Sequence, residues 1–155
     1  MEKLSNNLYL KEVIKSNTAT RRGIDNSPTA EHLANLKVVA VRVFQPIRDH
    51  FETPIGISSG YRSEALNKAI GGSKTSQHSK GQALDLDADI FGGVTNFDIF
   101  FFIKNNLDFD QLIWEFGTDE EPNWVHVSFK PDGKNRKSVL KAIKSNGRTT
   151  YLKLQ

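Results

Sequence analysis

The stretch Ser76-Gln77-His78-Ser79-Lys80-Gly81-Gln82-Ala83-Leu84-Asp85-Leu86-Asp87 decides how this chain is read. Its first half is polar and ends in glycine, as a loop does. From Ala83 onward apolar and acidic residues alternate, as in a half-buried strand. Strand geometry sends Leu84 and Leu86 to one face and Asp85 and Asp87 to the other. Two later stretches obey the same rule. In 124–129, Val125, Val127 and Phe129 form the apolar face, leaving Trp124, His126 and Ser128 opposite. In 111–116, Leu112, Trp114 and Phe116 form that face, leaving Gln111 and Glu115 outward. If these strands are neighbours, one side of a sheet gathers Asp85, His126 and Glu115. The loop carrying His78 can fold back over it.

Outward from this centre, the chain reads mostly as helices before it and strands after it. Residues 9–16 suggest a short helix, with Arg21-Arg22-Gly23 closing into a loop. Ser27-Pro28 is a helix start, because serine caps and proline suits the first turn. Leu33, Leu36, Ala40, Val43, Phe44, Ile47 and Phe51 then recur every three or four residues, the signature of one amphipathic face. Pro46 is expected to kink that helix or mark its last turns. A short strand at 55–59 is followed by a helix from Ser63 to Ile70, which Gly71-Gly72 stops. Asn96 is the expected cap of a helix through Phe97, Phe100, Phe101 and Ile103. The segment 117–122 suits a hairpin-type turn. The pattern indicates an α+β fold, a small antiparallel sheet with helices packed on one face.

Composition limits the function classes. At 155 residues without repeat, low-complexity tract or linker, a single domain spanning 1–155 is expected. Ten Phe and two Trp can fill its core. Cysteine is absent, which excludes disulfides and thiolate metal sites. Any zinc must then be held by His, Asp or Glu, a donor set that suits catalysis better than structure. No apolar run approaches the roughly 18–20 residues of a membrane span, so no membrane insertion is expected. The N-terminal residues lack the apolar stretch of a signal peptide, so cytoplasmic synthesis is expected. The expected oligomeric state is a monomer.

Two imidazoles, one carboxylate and a spare carboxylate make a recognisable set. Zinc binds such ligands tetrahedrally at about 2.0–2.2 Å, with a fourth position left for water in catalytic sites. A spare carboxylate nearby can act as general base and then as acid. By residue type alone His78 also reads as a loop histidine, His126 as a satisfied sheet histidine and Asp85 as a solvated strand residue. His32 and His50, on or near the long helix, read as structural or surface residues.

The stretch 76–85 resembles the S-x-H-x-x-G-x-A-x-D signature of the zinc D-Ala-D-Ala carboxypeptidases, the M15 or LAS peptidases, which include phage endolysins and the hedgehog signalling domain. Ser58-Ser59-Gly60-Tyr61-Arg62-Ser63 is similar to that family's S-G-Y-R segment, and Trp124-Val125-His126-Val127-Ser128 to its W-x-H-x-S strand. The resemblance implies a hedgehog/D-Ala-D-Ala peptidase-like fold. It implies His78, Asp85 and His126 as zinc ligands. It implies Arg62 as the grip on a substrate carboxylate or carbonyl, since a guanidinium fork can take both oxygens. Ser76 would touch substrate or satisfy local backbone, and Trp124 would wall the cleft or pack. The substrate implied is the peptidoglycan stem peptide, cut at a D-Ala-D-Ala or L-Ala-D-Glu type of bond. The implied place of action is the cell wall, reached in phage-encoded lysins with a holin's help.

One position departs from the family pattern. Several relatives carry an acid three residues before the last histidine, where this chain has Asn123, and others a histidine two before it, where this chain has Trp124. Strand parity makes Glu115 the candidate base, with Glu121 and Glu120 in the turn as the fallback. All three also read as surface acids. This departure leaves open a catalytically inactive wall- or protein-binding module on the same scaffold.

The charge is uneven. From Lys130 to Gln155 stand eight Lys or Arg and one acid, Asp132, in a chain of formal charge +3, so the preceding part is net acidic. A basic segment at 130–155 can meet an anionic polymer, but its plainer reading is a solvated helix face and a solubilising tail. Tyr151 is its only aromatic and no base-reading motif is present, so no specific nucleic-acid partner is expected.

Overall fold

The computed structural model describes residues 2–154. A ribbon of β1 (Lys3–Ser5) and β2 (Leu8–Tyr9) leads into α1 (Leu10–Ile14) and α2 (Asn17–Arg22). The second helix replaces the expected loop at Arg21-Arg22-Gly23. The Ser16 hydroxyl accepts from Ala19 N–H to start it, and Gly23 closes it in the left-handed conformation. Helix α3 (Ala30–Val39) starts later than Ser27-Pro28 suggests, because Thr29 is the cap and accepts from His32 N–H. The chain then passes through a π-helical stretch, Ala40–Phe44, into α4 (Gln45–Phe51). Proline inside a helix lacks its N–H and crowds the carbonyl four residues back. Here the wide turn just ahead of Pro46 carries the helix past it, with Gln45 N–H donating to Ala40 O.

Strand β3 (Gly56–Ser59) and helix α5 (Glu64–Ala69) follow, the helix capped by Ser63, whose hydroxyl accepts from Leu66 N–H. The loop beyond contains one 3₁₀ turn, Gln77–Lys80, before β4 (Ala83–Asp87). A second 3₁₀ turn, Ala88–Ile90, precedes α6 (Asn96–Asn106). Strands β5 (Gln111–Glu115), β6 (Trp124–Ser128), β7 (Ser138–Ser145) and β8 (Arg148–Lys153) complete the chain. Thr95, not Asn96, caps α6. Asn96 is fully buried and ties three segments together, accepting from Ala88 N–H and donating to Asp87 Oδ1 and the carbonyls of Pro122 and Asn123.

The fold is α+β, with the large sheet ordered β3-β4-β6-β5-β7-β8. Neighbours are antiparallel except β5 and β7, which run parallel. Leu36, Val43 and Ile47 from α3–α4, and Ile99, Phe100 and Ile103 from α6, pack on Leu84, Leu86, Leu112, Trp114, Val125 and Val127. These side chains are buried, and the aliphatic ones and Phe100 stabilise the fold by about 1.5–3 kcal/mol each. The helices thus cover one face of the sheet. His78, Asp85, His126 and Glu115 border the cleft on the other.

Two readings change here. The segment 130–155 is not a helix face with a tail. It supplies the β7–β8 hairpin and enlarges the sheet. Asn146-Gly147 makes the turn, both at positive φ (52° and 75°), the conformation a two-residue hairpin loop needs. Buried Asp110 pins the connection ahead of the hairpin, accepting from Arg136 through its backbone N–H and its guanidinium. Phe116 leaves the apolar face on which alternation puts it. Its φ of +57° turns the chain into the bend, and its ring lies 5.5 Å from that of Trp124.

Gly81 ends the 3₁₀ turn at φ +73°, where an added Cβ would lie 2.4 Å from the His32 carbonyl oxygen. Gly81→Ala is expected to destabilise by about 2–4 kcal/mol in urea unfolding. Gly133→Ala, at a similar φ with open space around it, is expected to cost about 1–2 kcal/mol.

Candidate metal centre

The β4–β6 ladder sets Asp85 directly opposite His126, and the β5–β6 ladder sets Ile113 on the other side of His126. Glu115 lies opposite Trp124, one diagonal step from His126 on the same face. His78 enters from the 3₁₀ turn above the strands. The Ser76 hydroxyl accepts from His78 N–H, and Arg62 N–H donates to the His78 carbonyl. The His78 ring is fixed by Nδ1, 2.7 Å from the Gly60 carbonyl oxygen. A carbonyl can only accept, so Nδ1 carries a proton, and Nε2 is the ring atom turned toward Asp85. Gly60 must be glycine for this, because a Cβ there would lie 2.5 Å from the Val13 carbonyl oxygen.

His78 Nε2 and His126 Nδ1 stand 3.3 Å and 3.1 Å from the same oxygen, Asp85 Oδ1. One donor atom from each residue falls within 4.8 Å of the others. Tetrahedral ligands at about 2.0–2.1 Å from zinc stand about 3.3 Å apart. The spacing, the donor types and the burial of the group therefore fit such an ion, and these three residues could hold one. Burial opposes ionisation of Asp85, but the two imidazoles outweigh it and hold the carboxyl well below the usual carboxylate range. The donor set keeps its anionic member.

Arg62 reaches the same carboxylate from β3's end, with Nη2 3.5 Å from Asp85 Oδ2 and Nε donating to Ser59 Oγ at 3.1 Å. Glu115 is buried at 8% exposure, and its carboxyl is pushed up to about 7, first by burial and then by the charge of Asp85. A carboxyl near 7 can both take and return a proton at neutral pH. Arg62, Ser76, Glu115 and Trp124 all border one open cleft of about 1030 Å³ with the three metal-ligand candidates. Glu120 and Glu121 are not among the residues bordering it, and Glu121 accepts instead from Asn96 N–H. Asn123 lies beside Glu115, its N–H donating to the Glu115 carbonyl. The Asn123 side chain is exposed and does not border the cleft, whereas Glu115 does.

His32 and His50 are elsewhere, as expected. His32 Nδ1 is 2.9 Å from the Tyr61 hydroxyl, and His50 stacks on Phe102 at 4.2 Å. Sequence reasoning missed the far wall of the cleft, where Leu140, Lys144, Thr149 and Tyr151 stand on the hairpin. The turn signal Asn146-Gly147 between alternating residues was the available clue. No helix among the described residues is long and apolar enough to cross a membrane.

A family model described as Peptidase M15 matches residues 6–128, well over half the chain, and the chain belongs to that family. The matched region ends at the last residue of β6, so the β7–β8 hairpin lies beyond it. No curated protein matches the chain.

The raised carboxyl of Glu115 has a consequence for stability. Between about pH 4.5 and 7 the unfolded chain releases this proton and the folded chain keeps it, so stability falls as pH rises through that window. Metal-free Glu115→Gln protein is expected to match the parent at pH 4 and exceed it by about 1–3 kcal/mol at pH 8. Denaturant titration at both pH values checks this.

Proposed function

We propose that this M15 peptidase is a zinc enzyme hydrolysing amide bonds next to D-amino acids in bacterial peptidoglycan stem peptides, acting as a D,D- or L,D-peptidase. The observation that carries this reading is the shared approach of His78 Nε2 and His126 Nδ1 to Asp85 Oδ1. His78, Asp85 and His126 would hold the zinc. When bound there, zinc supplies Lewis acidity and a water acidic enough to attack near neutral pH.

The remaining work falls to the chain's own groups. Glu115 takes the proton of the attacking water and returns it to the leaving amine, a task its raised carboxyl suits. Arg62, fixed by Ser59 at one side of the cleft, binds the substrate's terminal carboxylate or carbonyl oxygen. Trp124, braced by Phe116, walls the cleft beside the reacting bond. Ser76 holds the His78 turn through its oxygen and keeps its own hydroxyl proton for a substrate carbonyl. The basic segment 130–155 belongs to the same single peptidase domain in this reading, because its hairpin completes the sheet. The protein acts on the wall as a monomer, in the manner of an endolysin.

Purified protein is expected to carry about one zinc per chain and to release D-alanine or a cleaved stem peptide from peptidoglycan. His78→Ala is expected to lose both metal and turnover. Glu115→Gln is expected to keep the metal and lose about 10²–10⁴-fold in kcat. Metal affinity is expected to fall as the pH is lowered, because protons compete with the metal for the ligand atoms. Metal analysis paired with turnover reads the parent and both variants, and metal analysis across a pH series reads the last. Zinc retained in the parent protein without turnover on any wall peptide would favour a binding module.

A further inference from the structure

The wall of the cleft formed by β7 and β8 lies outside the matched family region, and it is basic. Because β5 and β7 pair in register, the residues continuing the metal-bearing face are Leu140, Ala142 and Lys144 on β7. Across the next ladder Tyr151 faces Ala142, and Thr149 faces Lys144. One cross-sheet row therefore runs Trp124, Glu115, Ala142, Tyr151.

The cations along this wall are not equivalent. Arg136 and Lys130 are committed to Asp110, at 2.8 Å and 3.7 Å. Lys144 is different. Its Nζ lies 5.5 Å from the centroid of the Phe116 ring and donates to Thr149 Oγ1 at 3.3 Å. It makes no ion pair among the described residues. Ring and hydroxyl hold the ammonium over the cleft without neutralising it. Tyr151, diagonal to it on the same face, adds a hydroxyl that stays protonated at neutral pH and can donate.

We propose that Lys144, Thr149 and Tyr151 form a subsite for a carboxylate on the substrate peptide, away from the bond that is cut. This deepens the peptidase reading and rests on it. Arg62 stands beyond β4, on the β3 side of the metal-ligand group, and the hairpin on the opposite side. A peptide whose terminal carboxylate meets Arg62 can run its upstream residues across the cleft toward β8, whose Thr149 and Tyr151 border it. Strand β8 is two strand spacings, about 10 Å, from Glu115, which an extended peptide covers in about three residues. The subsite therefore selects a free carboxylate about three residues upstream of the cut. In a stem peptide cut at its D-Ala-D-Ala end, that is the D-glutamyl residue.

The test uses two stem pentapeptides, alike except that the D-glutamyl α-carboxylate is free in one and amidated in the other. Binding is measured by calorimetry, and hydrolysis separately, for the full-length zinc-loaded protein and its Lys144→Met and Lys144→Arg variants. The parent is expected to bind the free acid about tenfold more tightly than the amide. Lys144→Met is expected to abolish that preference and Lys144→Arg to retain it. Lys144 is exposed, so both variants should fold, and melting temperatures check this. A parent that prefers neither peptide, or a Lys144→Met protein that keeps the preference, overturns the subsite while leaving the peptidase reading intact. Lys144-dependent binding without hydrolysis supports the subsite and counts against the peptidase reading. Tighter binding of a short oligonucleotide than of the free-acid peptide, lost with Lys144→Met, overturns the proposal in favour of a polyphosphate surface.

Discussion

The site depends first on one register, Asp85 opposite His126 across the β4–β6 ladder. Side chains directly opposite in an antiparallel pair stand close enough to share one partner. A slip of one residue would turn Asp85 into the core and bring Leu84 or Leu86 to the cleft. The apolar partners prevent that slip. Leu84 and Leu86 pack with Val125 and Val127 against the helices, so the hydrophobic face holds the polar face in register. His78 is brought to this pair by a second constraint, the exchange of hydrogen bonds between the Gly60–Arg62 turn and the His78 turn.

Electrostatics follow from that placement. Two imidazoles and two carboxyls are held in one corner of the cleft. The imidazoles keep Asp85 ionised against its burial, while Glu115, buried near the same negative charge, keeps its proton to about pH 7. Two carboxylates on one sheet face are thereby set apart, one suited to ligate and one to exchange a proton. The separation arises from who their neighbours are, since both are strand residues of similar exposure.

The C-terminal hairpin changes what the cleft can recognise. Without β7 and β8, Glu115 would stand on an edge strand facing solvent. Parallel pairing of β7 with β5 buries Ala142 next to that position and raises a basic wall beyond it. The buried Asp110 carboxylate, held by Arg136 and Lys130, anchors the start of this addition. The basic segment is thus part of the cleft's architecture.

The sequence by itself determined the α+β class, the strands at 83–87, 111–116 and 124–129 to within one residue at their ends, and the face on which Asp85, His126 and Glu115 meet. Local rules suffice there, because a period of two assigns a side chain to a face before any partner is known. His78 lies in a loop with no periodicity to read; its place just ahead of the 83–87 strand allowed it to fold over that face, and the S-x-H-x-x-G-x-A-x-D resemblance implied its role as a ligand. Tertiary structure alone decided the rest. Thr29 and Thr95 became helix caps in place of their neighbours, the chain passed Pro46 by a π turn, and Phe116 left the core through a positive φ. Above all, a basic segment became two strands, because a free edge of β5 and the Asn146-Gly147 turn outweighed what its charge suggested. Charge reports what a segment does in water, whereas strand pairing depends on which distant edge is left unpaired, and that is settled only when the chain has folded.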